Sequence, residues 1–334
     1  MPLHSRMPKF AALLCALLML TGCGLLGDDS ANRNSAGPKV VGAPEKAKVK
    51  VAVLPTMDTV PLYAAMDAGY FAKEGLEVST VSAASGADCV AKLVSGEVDF
   101  AFSSYTPFFA AKAKKAADLK LVADATSAAP GNAVVVTMPN SGVRNIRDMS
   151  GKRVAITAKF TMSHLLVESQ LKLNGVDSSS IQWVELPFPQ MADKLAKGQL
   201  DAAFLTEPFL QQAAKGVGAY PLFDTASGPT ADIPLTGYGA TATFVNGNRR
   251  TVEAFQRAMK RATDEVRGDR TKVDPLLQKI AKVDPDTAHL AVLTNFVSSL
   301  DPVRIQRVVD LMVEFKALDS KFDVSEMIVR PPAT

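Results

Sequence analysis

Two segments about a hundred residues apart share one layout, and this internal repeat constrains the fold more than any other feature of the chain. The first reads Lys92-Leu93-Val94-Ser95-Gly96-Glu97-Val98-Asp99-Phe100-Ala101-Phe102, the second Lys194-Leu195-Ala196-Lys197-Gly198-Gln199-Leu200-Asp201-Ala202-Ala203-Phe204. Lys, Leu, Gly, Asp, Ala and Phe coincide in register. Each copy reads as a helix stopped by glycine, where a left-handed backbone costs least, followed at once by a short buried strand.

The likeness extends backwards. A strand (Val49–Leu54), a helix (Pro61–Lys73), Gly75 and a strand (Leu76–Val81) precede the first copy. A strand (Arg153–Thr157), a helix (Ser163–Leu173), Gly175 and a strand (Ile181–Leu186) precede the second. Gly75 and Gly96 are 21 residues apart, Gly175 and Gly198 23. Strands alternating with helices predict an α/β fold of two lobes, each a mainly parallel sheet with helices on both faces. In open α/β sheets, ligands sit beyond the carboxyl ends of the strands, against helix N-termini. Each unit offers two such loops: Pro55–Val60 and Ser103–Pro107 in the first, Ala158–Ser163 and Thr206–Phe209 in the second. If the units face each other, four loops converge on one cleft.

Two β-rich runs, Ala133–Thr137 and Tyr238–Asn246, are the expected crossings between lobes. They predict a two-strand hinge that opens and closes around ligand. The remainder reads as helices: Val252–Arg267, Val273–Lys282, Asp286–Val297 and Pro302–Leu318, with Pro285 and Pro302 at or near helix starts. Lobe 1 is therefore expected to comprise residues 48–134 and 240–334, and lobe 2 residues 135–239.

The front of the chain is addressing. Arg6 and Lys9 precede an uncharged apolar run, Phe10 to Leu20. It falls short of the roughly 20 residues a bilayer core takes, but suits a signal peptide, expected over residues 1–22. The run ends in Leu20-Thr21-Gly22-Cys23, which resembles the bacterial lipobox, so Cys23 is expected to take a lipid and anchor the chain outside the cytoplasm. Residues 23–47, rich in Gly, Ser, Asn, Asp and Pro, read as a flexible tether. With Cys15 removed and Cys23 acylated, Cys89 stands alone on a helix face and no intramolecular disulfide is expected.

Cleavage would remove Arg6 and Lys9 and bring the formal charge from +3 to +1, which leaves no footprint for nucleic acid. With 47% apolar and 21% charged residues, the rest is an ordinary globular protein. There is no G-x-S-x-G, P-loop or Cys/His cluster. His164 and His289 are the only histidines past the signal peptide, too few for a histidine metal site. No cofactor or metal is expected, and an enzyme reading finds little support.

The run Pro61-Leu62-Tyr63-Ala64-Ala65-Met66-Asp67-Ala68-Gly69-Tyr70-Phe71-Ala72-Lys73-Glu74-Gly75-Leu76-Glu77-Val78 resembles the opening of the nitrate/sulfonate/taurine-type substrate-binding proteins of ABC importers. So do Leu93–Phe102, the run Ile146–Val154, and Asp201-Ala202-Ala203-Phe204 followed by Glu207-Pro208. The resemblance covers roughly residues 48–245 well and the tail loosely. It implies a type II periplasmic-binding-protein fold, a monomer outside the cytoplasm, and partnership with a permease and an ATPase. The family also includes proteins for thiamin pyrimidine precursors, and the fold has catalytic relatives in small-metabolite biosynthesis. Within it the motifs do not single out a ligand.

Ser103, Ser104 and Tyr105 lie where a strand gives way to a helix. N–H groups and hydroxyls there hold an anion through the helix dipole, or simply cap the helix. Phe160, Thr161, Met162, Ser163 and His164 form the matching loop, with Lys159 beside it. Thr161 and Ser163 are placed to cap and to donate to ligand, whereas His164 reads first as a packed or surface residue. Thr56, Met57 and Asp58 belong to the first loop, Glu207 and Phe209 to the last. Phe160 and Phe209 either sandwich a flat ligand or belong to the core. Asp58 and Glu207 repel an anion and suit an amine, a zwitterion or a heterocycle with N–H donors, unless Lys159 neutralises Glu207.

Overall fold

A computed structural model of the chain describes residues 42–331. The expected signal peptide, Cys23 and most of the tether lie outside these residues. The tether's last residues, 42–47, rest against the body. Glu45 accepts from the N–H groups of Arg250 and Thr251 (3.2 and 3.0 Å), and the Lys46 N–H donates to Thr251 Oγ1 (3.0 Å).

The strands are β1 (Lys48–Val53), β2 (Glu77–Ser82), β3 (Phe100–Ser104), β4 (Leu119–Ser127), β5 (Ala133–Thr137), β6 (Arg153–Ile156), β7 (Gln182–Glu185), β8 (Ala202–Thr206), β9 (Tyr220–Asp224), β10 (Pro234–Thr241) and β11 (Asn295–Phe296). They form a six-stranded sheet in the order β11-β4-β10-β3-β1-β2 and a five-stranded one in the order β7-β6-β8-β5-β9. The repeated units supply the parallel heart of each: β2-β1-β3 in the first, β7-β6-β8 in the second.

The repeat's aspartate has a structural task in both. The Asp99 carboxylate accepts from the Lys50 N–H (3.0 Å), and the Asp99 N–H donates to the Lys50 carbonyl (3.0 Å). Asp201 brackets Arg153 the same way, at 2.8 and 2.9 Å, and adds the Arg153 guanidinium (2.8 Å). Each aspartate thus pins its own strand to the central strand beside it.

The sheets are mixed rather than mainly parallel. β10 inserts between β3 and β4 and runs against both, and β5 inserts between β8 and β9 in the same way. Both arrive from the facing sheet, entering at the carboxyl ends of the parallel strands, and so must run opposite to them. Ala133–Thr137 and Tyr238–Thr241 are therefore strands inside the sheets rather than the crossings themselves, and a helix (Ala242–Gly247) takes up the rest of the second run. The chain crosses at residues 128–132 and 225–233. There the Ala128 N–H donates to the Ile233 carbonyl (2.9 Å) and the Thr225 N–H to the Ala133 carbonyl (3.0 Å).

The tail packs on the first sheet through the helix Arg249–Val266, whose Phe255 stacks on Phe100 (ring centroids 4.2 Å apart) and Phe71 (5.4 Å). The expected helix over Asp286–Val297 is shorter, Pro285–Leu290, and the chain then straightens into β11 against β4. Val292, Thr294 and Val297 favour that extended form. The expected helix Pro61–Lys73 is broken at Gly69, where φ is 68°, into Val60–Asp67 and Tyr70–Lys73. Among the described residues no helix is long and apolar enough to cross a membrane.

Candidate ligand-binding site

A cavity of about 70 Å³ lies between the carboxyl ends of the two parallel hearts. From the first sheet it is lined by Leu54, Thr56 and Asp58 after β1, by Phe102 and Ser104 of β3, by Gly86, and by Leu235 and Thr236 of β10. From the second come Thr157, Thr161, Met162, Ser163 and Leu166 after β6, Phe204 and Thr206 of β8, and Phe188. The lining follows the repeat. Gly86 opens the helix Gly86–Val94 and Phe188 the helix Phe188–Ala196, 102 positions later. Phe102 and Phe204, then Ser104 and Thr206, stand at the same spacing.

Seven hydroxyl side chains line the cavity, and Asp58 is the only charged residue that does so among the described residues. Thr157, Thr161 and Ser163 bond to one another, with Ser163 Oγ 2.8 Å from both threonine oxygens. Thr161 Oγ1 donates to the Ala158 carbonyl (2.7 Å). Asp58 Oδ1 accepts from Thr126 Oγ1 (2.6 Å) and Thr236 Oγ1 (3.3 Å). Thr56 Oγ1 and Thr206 Oγ1, one beside each sheet, are buried with no hydrogen-bond partner among the described residues. Buried hydroxyls are seldom left so, which marks these two for a bound molecule or water. The helices Gly86–Val94 and Met162–Leu173 begin at the cavity, and their unbonded N–H groups add positive character there.

Of the residues expected from sequence, Thr56, Asp58, Ser104, Thr161 and Ser163 meet at this cavity. Met57, Ser103, Tyr105, Phe160, Glu207 and Phe209 do not. Met57 turns into the apolar cluster of the tail helices with Val266 and Leu277. Ser103 lies beneath Gly86, where a Cβ would come within 2.5 Å of its Oγ. Tyr105 is fully buried, its hydroxyl donating to Asp124 Oδ1 (2.5 Å). Phe160 is 47% exposed and has a positive φ of 61°. Phe209 stacks on Phe188 (5.5 Å) inside the second core. Of the rings that reach the cavity, Phe102 and Phe204 close the two copies of the repeat, which is the signal that would have found them, while Phe188 opens the helix ahead of the second copy.

His164 is packed, its ring edge-on to Trp183 at 4.5 Å, and burial lowers its pKa to about 4, so it is neutral at pH 7. Lys159 is exposed and forms no ion pair with Glu207. Instead the Glu207 carboxylate accepts from the N–H of Val292 (3.0 Å) and from Gln211 Nε2 (3.2 Å), and burial pushes it up to about 7. Cys89 is buried, and its thiol is pushed well above the usual range by desolvation.

Residues 42–280 match the NMT1-like family. A protein of Bacillus subtilis (strain 168) named for binding aliphatic sulfonates is 24% identical over 330 residues, 95% of this chain and 92% of that one. A 4-amino-5-hydroxymethyl-2-methylpyrimidine phosphate synthase of Aspergillus parasiticus is 25% identical over 218 residues, 62% of each chain. The alkanesulfonate-binding protein of Xanthomonas axonopodis pv. citri, solved bound to MOPS, superposes with a TM-score of 0.73 at 18% identity, covering 86% of this chain and 100% of that one. The fold is the type II periplasmic-binding-protein fold.

Proposed function

Because the chain belongs to the NMT1-like family, we propose that it is the solute-binding component of an ABC-type importer. It captures a small solute of the sulfonate or nitrate kind outside the cytoplasm and delivers it to a permease and its ATPase. The observation that carries this reading is the cavity itself, assembled from matching strand ends of a duplicated unit, with an unpartnered buried hydroxyl on each side. Hydroxyls and helix N-termini together hold an oxyanion without any lysine or arginine. The relative named for aliphatic sulfonates, alike over nearly the whole chain, supports the same ligand class. A lipid on Cys23 would hold the body at the membrane, and palmitate labelling that survives Cys23→Ser would refute that anchor.

Asp58 favours a second reading. With its carboxylate at the cavity and no cation lining it, the site also suits an amine or a heterocycle bearing N–H donors. The pyrimidine phosphate synthase among the relatives fits that chemistry.

A thermal-shift screen decides between these. Ligand at 100 times its Kd adds about 2.7 kcal/mol to stability, a shift easily read. Alkanesulfonates and nitrate are expected to raise the Tm, and aminopyrimidines are not. The converse result establishes the second reading. Steady-state turnover of any stabilising compound overturns the binding reading altogether.

A further inference from the structure

Glu207 follows Thr206 out of β8, yet its carboxylate points away from the cavity. Its backbone carbonyl accepts the N–H of Met57 (3.2 Å), the residue between Thr56 and Asp58. Its Oε1 accepts the N–H of Val292 (3.0 Å), which lies between the helix Pro285–Leu290 and β11. Farther out on the same side, Lys215 meets Asp284 (2.6 Å) and Asp286 (3.7 Å). A groove of about 390 Å³ opens there, lined by Gln211, Lys215, Asp286, Thr287, His289 and Leu290. These contacts run in a line from core to surface, each joining the second sheet or its helix Phe209–Val217 to a segment packed on the first.

We propose that Glu207 is a positioning residue: it fastens the second lobe to the first behind the cavity wall and so holds Thr56 and Asp58 against Thr206. The cavity explains why a fastening there matters. Its 70 Å³ is about half the 150 Å³ that admits benzene, so a solute larger than that fits only if the walls from the two sheets move apart. Whatever joins the lobes then sets the balance between the open and closed forms. The outer pair is half-exposed and weak, as surface ion pairs are. The inner contact is buried, with Glu207 only 2% exposed, so breaking it strands an N–H and a carboxylate unless water reaches them. The upward displacement of the Glu207 carboxyl agrees, since opening would hydrate it. None of this depends on which solute binds, so the latch and the proposed ligand class fail separately.

Amide hydrogen exchange on the whole chain without ligand tests the idea. Glu207→Ala removes the acceptor of the Val292 N–H but leaves the carbonyl that accepts from Met57. If the lobes are released together, the Met57 and Val292 amides quicken by the same factor, about tenfold, while Val51 of β1 and Ala155 of β6 stay slow. Glu207→Gln, which keeps an acceptor for Val292, restores the protection of both. Faster exchange at Val292 with Met57 unchanged would reduce Glu207 to a local cap and overturn the proposal. Should Glu207→Ala loosen Val51 and Ala155 as well, Glu207→Asp, whose shorter side chain falls short of the Val292 N–H, decides. Coupled release of Met57 and Val292 in that variant supports the latch, and no change at either refutes it.

Discussion

Glu207 and Asp124 show how a single carboxyl reports its surroundings. Neither has an ion-pair partner among the described residues, and burial pushes each up to about 7. Asp124 keeps two donors, the Tyr105 hydroxyl and the Ala125 N–H, but they do not offset desolvation. The folded chain therefore holds these two protons more tightly than the unfolded chain, whose carboxyls titrate near 4. Stability must fall as pH rises from about 4 to about 7, and the loss is complete above that window. A displacement of this size is worth on the order of 3 kcal/mol per group. Urea unfolding at pH 5 and pH 8 checks it: wild type should lose more stability between the two than Glu207→Gln or Asp124→Asn. His164 works in the opposite direction, since its pKa is lowered, and costs stability below about pH 6.5. That contribution is common to all three proteins and cancels from the comparison. Equal pH dependence in all three would mean both carboxyls ionise normally. Tyr105 explains why such surroundings escape the sequence: a hydroxyl after a strand reads as a cleft residue, and only packing shows it bonded to Asp124 within the core.

At the scale of elements, the repeat made most of the architecture legible, because its residue types answer to backbone needs. Gly96 and Gly198 take positive φ, 78° and 63°, and Asp99 and Asp201 bracket the start of the central strand beside their own. Such local requirements appear in a sequence wherever the element recurs. The repeat also foretold the loops that meet at the cavity. What it did not foretell were β4 and β9, which recur about a hundred residues apart but share few residue types, and the antiparallel insertion of β5 and β10, which depends on where the chain arrives from. It equally hid which face of each loop turns inward: Met57 and Phe209 are neighbours of lining residues but serve the apolar clusters behind them. The aspartate offers a direct check. Asp201→Ala deprives the Arg153 N–H and guanidinium of their acceptor and should destabilise by about 1.5–3 kcal/mol, as loss of a charged hydrogen-bonding partner does. Asp99, paired to the more exposed Lys46, should cost less on the same substitution. Chemical denaturation of both variants gives the order, and a larger loss at Asp99 would contradict this account.

The whole molecule turns on two short crossings, residues 128–132 and 225–233, with lobe 1 before and after them and lobe 2 between, a division proposed from how the sheets are built. The crossings are bonded to each other, and the Gly131 N–H adds a bond to Asp224 Oδ2 (2.8 Å). Arg307 of the tail donates to the carbonyls of Pro229, Ala231 and Asp232 at 2.9–3.3 Å. Asp232 itself sits at a positive φ of 48°, a conformation few non-glycine residues adopt. With these bonds intact, opening is expected to be a rotation of one lobe as a body about the crossings. Such a rotation separates Thr56 from Thr206 and breaks the contacts of Glu207 and Lys215, while leaving both cores packed. Free protein should then populate forms more open than the structure, and a solute that touches both lobes draws the population towards closure by its preference for the closed form. X-ray scattering of the full chain, free and saturated with the most stabilising compound of the thermal screen, should show a smaller radius of gyration in the saturated sample. The tether contributes equally to both and drops out of the difference. An unchanged radius with a compound that binds tightly would mean the lobes do not move, and entry would then have to proceed through local loosening of the loops at Thr56 and Thr161.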